Sequence, residues 1–368
     1  MAGQSGPTHG NLQAGGANAD LVLDDGGPGE RVRAPRRGRR VLGVLALVVV
    51  LLGAVVAGGF LLLSESLGNN VARVPNVFGA LEENARPPAG NALTFLLVGT
   101  DTRSGEPTTG GDAPADVDPG SQRSDVVMLA RVNPDGSEAS VVSIPRDSWV
   151  DVPGRGMNKI NAAYAFGGPS LLIRTVENLT RQRVDHFAVI DFAGFQSMVD
   201  SVGGIDVRVA GATSNAGVDF HEGLNHLDGA QALAYVRQRY DLPNGDLDRA
   251  KRQQNALRAL LAKAASGGAL SDPAGLYDLV DATSRTVSVD DTLSNNGLRS
   301  LAFDLRGLRP SAVTFLSAPV RGLGRQGAQS VVYLDDQRSS ELWNALQSGT
   351  LASYAARYPA DSLGGTPA

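Results

Sequence analysis

Apolar and polar positions along the chain fall into three regimes. The first forty residues lack apolar periodicity, are rich in Gly, Pro and small polar residues, and end in RVRAPRRGRR; this predicts a disordered tail, 1–40, with a basic end. Residues 41–63, VLGVLALVVVLLGAVVAGGFLLL, are 23 positions without a charge, long enough to cross a bilayer as one helix. Arginines directly before this run and none within it predict a cytoplasmic N-terminus, a single pass through the cell membrane and an extracytoplasmic remainder. A cleaved signal peptide fits less well, because the run exceeds a signal h-region and no small-x-small site follows it.

Past a linker at 64–90, broken by ARVPNV and ARPPAG, short apolar runs alternate with helical patterns. ALTFLLVGTD reads as a buried strand delivering a loop to its carboxyl end. SDVVMLARVNPDGSEASVVSIP reads as a hairpin around Asn-Pro-Asp-Gly. Helices are expected near 170–179, 192–202 and 248–264, around 275–286, over 293–308 and from 335, and strands at 186–191, 205–209, 312–320 and 330–336. Residues 219–227 and 321–328 read as loops, and 351–368 as a flexible tail. The alternation predicts one α/β domain over 91–350 with a mixed central sheet.

The densest chemistry lies at 235–255, YVRQRYDLPNGDLDRAKRQQN. Its first part reads as extended, with Tyr235, Arg237 and Arg239 on one face. Its second part reads as a helix capped by Asp248, with Arg249, Arg252 and Gln253 on one side. Cations at a helix N-terminus oppose its dipole, whereas a bound anion is favoured by dipole and guanidinium groups together. A solvated basic helix laced with surface ion pairs is the alternative.

Composition narrows the chemistry. The net charge of −5 and an aromatic content of 5% argue against a nucleic-acid binder. The chain has no cysteine and four histidines, which excludes thiolate chemistry and leaves an oxygen-bound ion such as Mg²⁺ as the natural metal. Asp101, Asp125, Asp246 and Asp248 fall at strand ends, a hairpin entrance or a helix start, as ligands or as turn and cap residues. Arg103, Arg123, Arg146, Arg237, Arg239, Arg249 and Arg252 also stand beside breaks, where each alone reads as a surface or salt-bridging arginine and their joint role would be to neutralise a diphosphate. No P-loop or serine triad pattern is present. His186 reads as structural, and Phe192, Phe195 and Leu227 as core or as the lining of a lipid channel.

The ordered motifs LLVGTDTR, RSDVVMLARVN, VSIPRDSWVDVPG, KINAAYAFGG, HFAVIDFAGFQSMVDSVGGIDV, GLNHLDGAQALAYVRQR and GDLDRAKRQQ resemble the LytR-CpsA-Psr family of cell-wall enzymes. The resemblance is dense over about 92–265 and implies a three-layer α/β/α fold behind one transmembrane helix. It also implies a phosphotransferase that moves an anionic glycopolymer, possibly arabinogalactan, from a polyprenyl diphosphate carrier to peptidoglycan, with Mg²⁺ or Mn²⁺. The family's metal ligands match Asp101 and Asp125; its catalytic positions match Arg123, Arg146, Arg237, Arg239 and Asp246; and its diphosphate contacts match Lys159, Arg249, Arg252 and Gln253. LDR stands where many members have a bulky residue and glycine before the arginine. A polyprenyl diphosphate phosphatase, a lipid-carrier-binding protein and a non-enzymatic envelope regulator are the alternatives.

Overall fold

A computed structural model describes residues 71–100, 108–109, 124–266, 285–305 and 308–367. The expected tail and transmembrane run, Asp101, Arg103, Arg123 and most of the expected helix around 275–286 lie outside these residues. Among the described residues no helix is long and apolar enough to cross a membrane.

The centre is a seven-stranded mixed sheet. From one edge to the other its strands are β1 (Ala72–Val74), β12 (Val287–Asp290), β7 (His186–Asp191), β2 (Leu93–Thr100), β3 (Ser124–Val132), β4 (Ala139–Ser143) and β13 (Val313–Ser317). The β2–β3 and β3–β4 pairs are antiparallel, whereas β2–β7 and β4–β13 are parallel.

Period-two alternation divides the sheet between two cores. Leu96, Val98, Leu129 and Val142 join the core under helix Ile160–Thr180 and helix Asp336–Ser348. Leu97, Met128, Val141 and Phe315 point to the other face and meet Leu257 and Leu261 of helix Asp246–Ser266. Helices on both faces make three layers. Ala256, Ala259 and Leu260 of that last helix enter a further core with helix Phe192–Ser201 and the ribbon of β8 (Ile205–Val209) and β11 (Gly223–Leu227). The helix is therefore apolar on two sides.

Several sequence expectations change. Residues 229–237 form a helix, Gly229–Arg237, closed by a capping box between Asp228 and Gln231. Ala232, Tyr235 and Val236 are buried at helical spacing, and Arg237 is exposed, so Tyr235 and Arg237 do not share a face. Asp248 is no cap: it lies inside the helix, and its carboxylate accepts from Asn244 N at 2.8 Å. Residues 320–326 are a strand, β14 (Val320–Gln326), paired with β15 (Gln329–Leu334), and residues 218–220 also pair as a strand.

Both flanks of the domain are structured further than expected. Strand β1 extends the sheet from within the linker, and Arg86 clamps the buried Glu177 at 2.8 Å. In the expected tail, helix Leu351–Arg357 buries Tyr354, whose hydroxyl donates to Asp361 at 2.7 Å. Leu363 N donates to Phe315 O at 3.0 Å, fastening the segment to β13.

Candidate functional site

Three segments converge at one end of the sheet. Asp125 is the second residue of β3. Gly99 lies opposite the next residue, Val126, and admits a close strand approach, since a Cβ there would lie 2.8 Å from Val126; the register shifts at Asp125, between that pair and Thr100–Ser124. Arg146 and Asp147 occupy the turn after β4, which Ser148 closes by donating to Pro145 O through both its backbone N–H and its hydroxyl. The turn is fixed from outside by Asn161 N on Arg146 O at 3.1 Å and Val332 N on Asp147 O at 2.9 Å. Asp246, Arg249 and Gln253 come from the start of helix Asp246–Ser266, at spacings that share a face. Gln254 on another side fastens this helix to the sheet through Ser143 Oγ at 2.9 Å and Leu316 O at 2.5 Å.

The side chains form a charge cluster. Arg146 pairs with Asp125, donates through Nε to Asp246 Oδ2 at 3.1 Å, and lies 3.6 Å from Asp147. Arg249 donates to the same Asp246 oxygen at 2.9 Å, and Lys159 Nζ sits 2.9 Å from Asp147. Burial opposes the Arg146 charge, but Asp125, Asp246 and Asp147 outweigh it and raise the pKa. Arg249 goes the other way: burial and the adjacent Arg146 lower its pKa against the pull of the same carboxylates. Both guanidinium groups stay protonated, yet Arg249 is the under-compensated one. An added anion would stabilise it.

Asp125, Arg146, Asp147, Asp246, Arg249 and Gln253 line a pocket of about 20 Å³, room for on the order of one water. The ion pairs fill it, so an anion would have to displace a carboxylate to bind. At the same strand ends, the buried hydroxyls of Thr100 and Ser124, cross-strand neighbours, have no hydrogen-bond partner among the described residues. The donors here are all oxygens, the chemistry of a hard cation. Among the described residues no group of three or more His, Cys, Asp or Glu is arranged to hold a metal.

Five expected residues, Asp125, Arg146, Asp246, Arg249 and Gln253, therefore meet in one pocket, and Lys159 joins them through Asp147. Arg252 does not. It is fully buried, donates to Gln238 Oε1 at 2.6 Å and Thr213 Oγ1 at 3.0 Å, and lies over the Tyr235 ring at 4.6 Å. It is a core residue out of reach of a substrate. Arg237 and Arg239 are not among the pocket's walls either: Arg237 stacks on Phe192 at 4.9 Å, and Arg239 donates to Tyr240 Oη at 2.6 Å. Phe195 and Leu227 belong to the core beside β8 and β11. Sequence reasoning left out Asp147 as a site residue. Its signal was adjacency to Arg146; its pairing with Lys159 appears only in three dimensions.

Residues 72–348 match the profile of the LytR_cpsA_psr family. The probable cell wall biosynthesis protein LcpB of Corynebacterium glutamicum is 34% identical over 317 residues, covering 83% of this chain and 70% of that protein. The polyisoprenyl-teichoic acid–peptidoglycan teichoic acid transferase TagU of Oceanobacillus iheyensis is 33% identical, covering 74% of this chain and 82% of its own length. The chain spans smaller shares, 54% and 59%, of two further curated relatives. Among solved structures, TagV of B. subtilis superposes with a TM-score of 0.58 at 26% identity, covering 70% of this chain and 97% of TagV.

Proposed function

The chain belongs to the LytR-CpsA-Psr family, and from that premise we propose that it is a membrane-anchored phosphotransferase. In this reading it moves an anionic cell-wall glycopolymer, arabinogalactan or a related polymer, from a polyprenyl diphosphate carrier to peptidoglycan. The observation that carries the proposal is the pair Arg146 and Arg249 on a single Asp246 oxygen, in a pocket that Asp125 and Asp147 also line.

Phosphoryl transfer asks mainly for positioning and charge stabilisation. Arg146 exchanges a carboxylate partner for a phosphate oxygen, and Arg249, which shares Asp246 with Arg146, gains a second anion. A hydroxyl of the peptidoglycan sugar attacks the phosphorus next to the glycan and forms a new P–O bond. The bond from that phosphorus to the bridging oxygen breaks, and prenyl monophosphate leaves with the electron pair. Both arginines hold Asp246 through Oδ2, so Oδ1 is the oxygen we assign to receive the hydroxyl proton.

Asp125, with Asp101 beyond the described strand end, would hold Mg²⁺ or Mn²⁺, which supplies positive charge to the diphosphate. The half-buried Leu97, Val126 and Ala130 facing Leu257 and Leu261 offer an apolar surface for the prenyl tail. The uncharged run at 41–63 would hold the chain in the cell membrane with its N-terminus in the cytoplasm, keeping the pocket outside. The test is to incubate the full chain with a glycan-linked polyprenyl diphosphate and peptidoglycan. A covalent polymer–peptidoglycan product is expected; release of glycan phosphate without linkage would make the protein a hydrolase instead.

A further inference from the structure

Two paths lead out of the reaction pocket to the same neighbouring groove. The first runs along the hairpin of β5 (Trp149–Val152) and β6 (Gly156–Lys159). Lys159 holds the pocket residue Asp147 at 2.9 Å and faces Trp149 across the hairpin, while Asp151 faces Met157. Trp149 and Asp151 share one side of the strand, and the buried Val150 and Val152 take the other. The second path is β15: Val332 lines the pocket and bridges Ser148, and the next residue, Tyr333, lines the groove. The groove is about 740 Å³ and is walled by Trp149, Asp151, Met157, Asn178, Arg181 and Tyr333, within the ~300–1,000 Å³ of ligand clefts.

Its chemistry is that of a sugar site. Trp149 supplies an apolar face for sugar C–H groups, and Tyr333, with Arg321 over its ring at 5.8 Å, closes the wall beside it. The side chains of Asp151, Asn178 and Arg181 have no hydrogen-bond or ion-pair partner among the described residues; these residues are exposed, their side chains ready for hydroxyl and acetamido groups. Arg181 is also held at φ 57°, a left-handed backbone uncommon outside glycine. The carboxylates of Asp151 and Asp336 offset Arg181 and Arg321, so the groove has no net charge to draw a polyanion. It includes Asn178 and Leu179 of helix Ile160–Thr180, on the opposite side of the sheet from Leu257 and Leu261.

We propose that this groove is a saccharide subsite that binds the N-acetylated sugar units of the acceptor glycan, next to the unit whose hydroxyl enters the reaction pocket. The assignment deepens the transferase reading and rests on it. The two tryptophans of the chain make it measurable, because Trp343 is buried at 5% exposure and Trp149 is the one a sugar can touch. Titrating the full chain in detergent micelles with chitotetraose is expected to give a saturable change in tryptophan emission. Trp149→Phe removes that change, and Asp151→Ala or Asn178→Ala moves it about tenfold higher in concentration. Both positions are exposed, so thermal midpoints stay where they are.

A parallel titration with polyglycerol phosphate is expected to give no response; saturation by that polyanion alone would reassign the groove to the donor polymer and overturn the proposal. No response to chitotetraose up to about 10 mM also overturns it. Glycopolymer transfer whose acceptor KM is unmoved by Asp151→Ala and Asn178→Ala removes the subsite and leaves the transferase. Chitotetraose binding in a wild-type chain that makes no transfer product retains the saccharide site and removes the transferase reading.

Discussion

Arg146 Nε and Asp246 Oδ2 meet at 3.1 Å although the residues are 100 positions apart. The contact joins the turn after β4 to the first turn of helix Asp246–Ser266, so the pocket exists only once the sheet and that helix have packed.

Removing Arg146 takes away the cation shared by three carboxylates. Arg146→Ala is expected to lower glycopolymer transfer by about 10²–10³-fold and to lower the thermal midpoint, because Asp125, Asp147 and Asp246 then repel one another. Arg146→Lys restores charge without the planar fork and recovers only part of the rate. Product formation and a thermal melt on the same preparations check both outcomes.

Arg249 and Arg252 separate by phenotype. Arg252→Ala empties a buried site and strips the shorter of two hydrogen bonds from Gln238 Oε1, leaving Thr213 Oγ1 at 3.3 Å, for an expected loss of about 3 kcal/mol in urea unfolding. Arg249→Ala, at the pocket, is expected to reduce transfer with a smaller stability cost. A folded, fully stable Arg252→Ala chain without transfer would return Arg252 to the diphosphate site.

Transfer is expected to stop on chelation with EDTA and to return with Mg²⁺ or Mn²⁺. Asp125→Asn is expected to raise the metal concentration needed for half-maximal rate. Full activity in excess chelator is the result that removes the metal from the proposal.

Acid is expected to destabilise the domain through Asp290. Burial raises the pKa of this carboxyl, but hydrogen bonds from His186, Thr292 and Phe187 N outweigh it and hold the pKa below its ordinary value. A depressed carboxyl pKa stabilises the fold above the unfolded value of about 3.9, and that contribution is lost as pH falls through the folded value. Thermal midpoints of wild type and Asp290→Asn are therefore expected to differ most near neutrality and to converge below about pH 4.

The C-terminal segment is part of the fold. Tyr354→Phe removes one hydrogen bond to the buried Asp361, which Arg338 also holds at 2.5 Å, and is expected to cost about 1 kcal/mol. Truncation before Leu351 exposes that carboxylate's partner and the core beneath, and should cost more; urea midpoints rank the two.

Much of this architecture was legible in the residues. Alternation placed β2, β3, β4 and β7, because a strand packed between helices must present apolar side chains to each face in turn. Aspartates and arginines beside chain breaks marked the end of the sheet where Asp125, Arg146, Asp246 and Arg249 meet. The glycines of strand β14 read as a loop, yet one of them is what the hairpin needs: a Cβ on Gly324 would lie 2.5 Å from the Tyr333 ring.

The sequence by itself determined the alternating α/β pattern, the uncharged run at 41–63 and the family motifs, all of which are local in the chain. Only tertiary structure decided which cations serve the pocket. Arg249 and Arg252 lie three residues apart, about 60° short of a full helical turn, and the helix that carries them is wedged between two cores. That small rotation turns Arg249 toward Asp246 and buries Arg252 against Tyr235 and Gln238. No helical wheel drawn from the sequence records which neighbour each side of the helix will meet.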